Sequence, residues 1–233
     1  MAEMGVFLFL AIVALLYPLP LSSEEQRPHW VPAGSVPEAL ERNVLQQRTY
    51  LQNRSREAQI MGLDWIEEDI RRFPAGEMRI AAVPLVVDML DRDFRILTVT
   101  PGYRVDPGTR IRALSLLARI GGEEARSQLR HSTVQDSDSA VRVTAAGLLA
   151  GIPGQNPEAD LLAISRALRA GIERGLPEAE VIRLLAAVWE VSRHVWSVND
   201  RDLFDTLIRI HSGPYSRSTR ETAFSMLEEF ARR

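Results

Sequence analysis

Residues 106–154 hold two copies of one pattern, and no other feature of the chain constrains its fold as tightly. DPGTRIRALSLLARIG, from Asp106 to Gly121, and DSAVRVTAAGLLAGIP, from Asp138 to Pro153, align at an offset of 32 residues. Asp106 falls on Asp138, Arg110 on Arg142, Ala113 on Ala145, Leu116 on Leu148, Leu117 on Leu149 and Ile120 on Ile152. Self-similarity at a period of ~20–50 residues marks a chain built from stacked supersecondary units. In the first copy Ala113, Leu116, Leu117 and Ile120 stand at i, i+3, i+4 and i+7, one stripe of an α-helix. Asp106 before Pro107 predicts the helix start, because aspartate caps free N–H groups and proline is tolerated in the first turn. Gly121-Gly122 predicts its stop. A second helix, Glu123 to about Val134, returns antiparallel with Ala125 and Leu129 facing its partner. One hairpin cannot bury these faces alone, so neighbours must stack on it.

This pattern resembles the HEAT family of helical-hairpin repeats, in its short form. The resemblance implies an all-α fold, an αα-superhelix or α-solenoid, usually a surface for binding other molecules. It also implies a row of Asp–Arg pairs linking successive hairpins. Related short helical repeats occur in proteins that attach or isomerise bilin chromophores. An enzyme or enzyme subunit of that lyase or isomerase type is therefore the alternative to a noncatalytic interaction module.

The helical period continues on both sides of the repeats. Ser35-Val36-Pro37-Glu38 has the form of a capped helix start, and a polar helix to about Ala58 reads as an outer cap. Leu63, Ile66, Ile70 and Phe73 give the next stripe. After Pro74-Ala75-Gly76 a further helix carries Ile80, Val83, Val87 and Leu90. From Asp93 to Pro107 the period fails: FRILTVT is β-branched and Pro101-Gly102 is a turn pair, so this stretch reads as a connector or a short extruded hairpin. Beyond the repeats, Pro157 to about Arg174 carries Leu161, Ile164, Leu168 and Ile172. Val181, Leu184, Leu185, Val188 and Val191 or Val195 follow, then a helix from Asp200 to His211 with Leu203, Leu207 and Ile210. The last helix repeats the pattern through Arg220, Ala223, Met226, Leu227 and Phe230, with Ser216 in place of the aspartate.

The amino-terminal residues carry a different signal. Gly5 to Leu16 is an unbroken apolar run, suited to the ~7–15-residue core of an export signal and short of the ~18 residues of a spanning helix. Residues 1–23 are accordingly expected to be a signal peptide or N-terminal anchor, 24–34 a proline-dotted linker, and 35–233 the helical domain. Export to the periplasm or cell envelope follows, with membrane contact only through residues 5–21 if the segment stays uncleaved.

Little chemistry can be assembled from the residues. The chain has no cysteine, which excludes disulfides, thiol catalysis and cysteine-ligated metal. Its four histidines show no metal-ligand spacing, and no phosphate loop or nucleophile elbow occurs. We expect no cofactor and no metal. The net charge of −3 gives no basic face for nucleic acid. All 28 basic residues are arginine. The expected partner is therefore a protein, with two candidate surfaces. Arg126, Arg130, Arg166 and Arg169 fall on second helices of hairpins and could form an arginine track, against acidic neighbours that include Glu123, Asp136 and Asp160. Trp189, Arg193 and Trp196 fall at i, i+4 and i+7, an aromatic and arginine combination enriched in binding hot spots.

Overall fold

A computed structural model describes residues 36–73, 75–99, 106–152 and 154–232. The amino-terminal apolar run, the linker and residues 100–105 lie outside the described residues. Leu40–Arg233 forms one of two compact units into which the chain divides. Every regular element among the described residues is an α-helix. In order these are α1 (Val36–Gln52), α2 (Arg56–Arg72), α3 (Ala75–Ala81), α4 (Val83–Val99), α5 (Pro107–Ile120), α6 (Glu123–Gln135), α7 (Ser139–Ala150), α8 (Pro157–Glu173), α9 (Glu178–Ser192), α10 (Arg201–Ser212) and α11 (Arg217–Arg232).

The repeated pattern folds as its spacing requires. Asp106 caps α5 by accepting from the Thr109 N–H at 2.9 Å, and Asp138 caps α7 by accepting from the N–H groups of Ala140 and Val141. Ala113, Ala145 and Ala223, equivalent positions of three copies, are fully buried, as are Leu117 and Leu149. Ser216 substitutes for the aspartate on α11, its hydroxyl accepting from the Thr219 N–H at 3.3 Å. Gly121 and Gly122 turn the chain with φ of 71° and 99°, backbone that side chains with a Cβ rarely adopt.

From α3 onward helix contacts follow a two-step register, and α2 reaches one helix further, to α5. α2 packs on α5, α5 on α7, α7 on α9 and α9 on α11; α4 packs on α6, α6 on α8 and α8 on α10. Sequential neighbours α5 and α6, α6 and α7, and α8 and α9 also touch. One continuous core of Leu, Ile, Val, Ala and Met runs from Leu51 to Phe230.

Three boundaries differ from expectation, each for a local reason. The first polar helix stops at Gln52 instead of reaching Ala58, because Asn53 accepts from the Ser55 N–H at 2.9 Å and Ser55 caps α2. Such side-chain bonds give the backbone an alternative to helix continuation. The expected helix through Ile80 and Val83 is broken at Ala82. Pro84 has no N–H for residue 80 and its ring would strike that carbonyl, so the helix restarts at Val83. Met78 and Ala82 take the inward positions, and Ile80 is left 82% exposed. Finally, FRILTV is neither hairpin nor connector but the last turns of α4. Val86, Met89, Leu90 and Asp93 continue a buried helical stripe, and Phe94 meets the His131 ring of α6 edge-on at 4.9 Å. Packing on α6 outweighs the β-propensity of the segment.

Candidate interaction surface

The arginines expected to form a track fall into two groups. Arg126 is buried, donating to the carboxylate of Asp160 and, at 2.5 Å, to the carbonyl of Ile152. Arg130 donates to the other Asp160 oxygen at 2.7 Å and to Glu123 at 2.8 Å. Asp160 itself is 0% exposed. Two guanidiniums on α6 thus hold one carboxylate in the first turn of α8. Burial acts to lower the Arg130 pKa, but Asp160 and Glu123 outweigh it and raise the value. These two arginines fasten α6 to α8. Arg169 pairs with Asp202 of α10 at the surface, and Arg166 is exposed.

The same device recurs between other helices. Arg110 of α5 donates to both oxygens of Asp136, each at 3.0 Å, with both side chains buried. Arg56 at the start of α2 lies 3.2 Å from Asp106, the α5 cap. Ser139 of α7 donates to Glu180 of α9 at 3.3 Å. Glu178 of α9 accepts from the Ser216 N–H at 2.9 Å and from the Thr219 hydroxyl at 2.5 Å. Ser165 of α8 donates to Asp200, the α10 cap, at 2.8 Å. The row of Asp–Arg pairs expected from the repeats therefore exists in altered form. Its carboxylate is Asp136 rather than the capping Asp138, and Arg142 donates to the backbone carbonyls of Asp136 and Ser137 at 2.7 and 3.1 Å. Burial, followed by the nearby Arg174, lowers the pKa of Arg142.

Sequence reasoning did not single out Asp136, Asp160 or Glu178 as fastening residues. The signal for Asp136 lay two residues before the repeat cap. For Asp160 it lay in the first turn of the proline-started helix, where a carboxylate also complements the helix dipole.

The tryptophans do not share a helical face. α9 ends at Ser192, whose hydroxyl donates to the Trp189 carbonyl at 2.8 Å, and Arg193 is its cap. Beyond it Val195 and Val198 turn inward and are buried. They pin the loop at two points and leave Trp196 between them 93% exposed. Trp189 is 38% exposed and stacks on Phe230 of α11, ring centres 6.3 Å apart. Phe230 in turn meets Phe204 edge-on, also at 6.3 Å. Arg193 is exposed beside them, paired with Glu190 at 3.2 Å.

Fold and site together define, among the described residues, an all-helical protein whose helices pack against their neighbours. In comparisons with known proteins, no family model, curated protein or solved structure matches the chain. Among the described residues no group of three or more His, Asp or Glu is arranged to hold a metal ion, and no helix is long and apolar enough to cross a membrane.

Proposed function

We propose that the chain is a noncatalytic protein-interaction module, an α-solenoid of HEAT-like hairpins exported to the cell envelope by its amino-terminal run. Support for the solenoid comes from the two-step register that runs from α3 onward, and from carboxylate contacts that join α6 to α8 and α9 to α11. Support for binding comes from one observation, Trp196. A large aromatic costs apolar surface in water when left uncovered, and here it sits on a loop anchored by two buried valines. A rigid exposed tryptophan loses little conformational entropy on association, and tryptophan with arginine is the combination richest in binding energy. Trp196, Arg193 and the exposed edge of Trp189 form the contact surface, with Arg166 and Arg169 as candidate flanking contacts. The carrying test compares capture of envelope proteins by the wild-type chain and by Trp196→Ala. Loss of a specific partner from the folded variant supports the reading, and an unchanged capture profile sinks it.

A further inference from the structure

The polar groups that join α1, α2 and α4 are of a different kind from those that join the later helices. Asp136 and Asp160 are each gripped by guanidinium groups. Asp69 of α2 is also buried, yet it accepts from the neutral amides of Asn43 at 3.0 and 3.2 Å and of Gln47 at 2.5 Å, both on α1. Among the described residues no guanidinium forms an ion pair with it. Burial pushes the Asp69 carboxyl above its ordinary value, against the pull of the two amides and of Arg72. Gln47 is itself buried, and its carbonyl oxygen has no partner. Turning that amide over brings the orphan acceptor against Asp69, where it can take a proton only if the carboxyl carries one.

Unsatisfied atoms concentrate at this junction. Besides Gln47, the Arg92 Nε and the Asp93 Oδ2 on α4 are buried without a partner. Arg92 also donates to the Leu51 carbonyl at the end of α1, at 2.6 Å. Leu51 rests on Gly62 of α2, where a Cβ would come within 2.9 Å of it, and Tyr50 meets Trp65 edge-on at 5.0 Å. Among the described side chains, α1 is thus held by close apolar contact, by the amides on Asp69 and by Arg92, which also lies 3.7 Å from Asp93.

We propose that α1 is a pH-gated clasp: a neutral Asp69 fastens it to α2 through Asn43 and Gln47, and a charged Asp69 lets it swing free. The direction follows from burial. A carboxylate taken from water without a cation loses more than neutral amides return, whereas a carboxylic acid loses little and gains a donor for Gln47. Fastening is therefore complete below the ordinary carboxylate pKa and fades as pH rises through the raised value. The charged groups around Asp69 do not reverse this. Glu68 and Arg72 on its own helix pair with each other at the surface. Arg112 and Arg119 of α5 face Asp64 and Glu67, and Arg79 of α3 donates to the Ile120 carbonyl. Around Asp93, Arg92 and Arg110 act alongside Gln59, and burial again raises the value. His131 of α6 lies against Phe94 of α4, with ring centres 4.9 Å apart.

Hydrogen–deuterium exchange of residues 42–52 in the full chain, from about pH 4 to about pH 7.5 and corrected for intrinsic rates, tests the clasp. Protection of α1 should fall severalfold with rising pH while α7 holds steady, and Asp69→Asn should remove the dependence. Wild-type protection that does not change with pH, or an unaltered dependence in Asp69→Asn, overturns the proposal. So does loss of the dependence in His131→Gln. A carboxyl carbon NMR titration of the unmutated chain needs no variant to fold. An Asp69 midpoint at or below the ordinary carboxylate range overturns the clasp, and one above it supports it.

Discussion

Arg110 and Asp136 meet through two hydrogen bonds of 3.0 Å, with neither side chain more than 7% exposed. A parallel, two-pronged contact of this kind is specific in geometry as well as charge. It joins α5 to the segment leading into α7, and Asp136 Oδ1 also accepts from the Asp138 N–H at 2.9 Å. One carboxylate therefore fixes both the neighbouring helix and the approach to the next cap. Asp136→Ala should cost about 3–5 kcal/mol in urea unfolding, because it breaks a buried, two-pronged ion pair by removing one partner. Replacing both residues with apolar ones of similar volume should restore much of that loss.

Leu117 and Leu149 occupy equivalent, fully buried points of successive copies. Alanine at either position should lower stability by ~2–5 kcal/mol, the range for large-to-small substitutions in a core. Losses below about 1 kcal/mol at both would show the register of the repeat to be misplaced.

The internal repeat made α5, α6 and α7 legible, because capping aspartate, stripe and glycine stop all follow from local physics. The stripes of α8, α9 and α10 were equally readable, and Leu161, Ile164, Leu168, Val181, Leu184, Leu185, Val188, Leu203, Leu207 and Ile210 are buried. Pro84 and the Asn53–Ser55 turn set two helix boundaries that the apolar period does not mark. The end of α4 was hidden because the helix is held by contact with α6, where Phe94 meets His131, a nonlocal cause. Among site residues, Arg126 and Arg130 were readable as lying on α6. Their engagement by Asp160 depends on how α8 stacks, and no spacing within the chain encodes that directly.

Glu178 offers a titration test. Hydrogen bonds from Ser216 and Thr219 hold its carboxyl below the ordinary value. The stabilisation this gives is present above the ordinary carboxylate pKa and is lost as pH falls through the lowered one. Glu178→Gln should leave a shallower decline of the thermal midpoint on acidification than the wild type shows. Superimposable acid limbs would remove Glu178 from the contacts that matter.

Trp196 and Trp189 should separate binding from stability. Trp196→Ala should change the unfolding free energy by less than about 0.5 kcal/mol, as surface substitutions do. Trp189→Ala should cost about 1–2 kcal/mol, since it removes the stacked ring over Phe230. Urea titration of both variants checks the contrast.

The unequal fastening of the helices gives the unit a direction in which it comes apart. From α5 onward, neighbouring helices are joined by carboxylates that accept from arginine, serine or threonine, and several of these contacts are buried. At the other end, the described contacts of α1 are two amides, one backbone carbonyl, a leucine set against a glycine and the Tyr50–Trp65 ring pair, without a guanidinium–carboxylate bond to α2 among them. A row of units bound mainly to nearest neighbours opens like a zipper, from its loose end inward. A protease added to the native protein would on these terms cut first near Asn53, and the fragment beginning at α2 would outlast the parent chain.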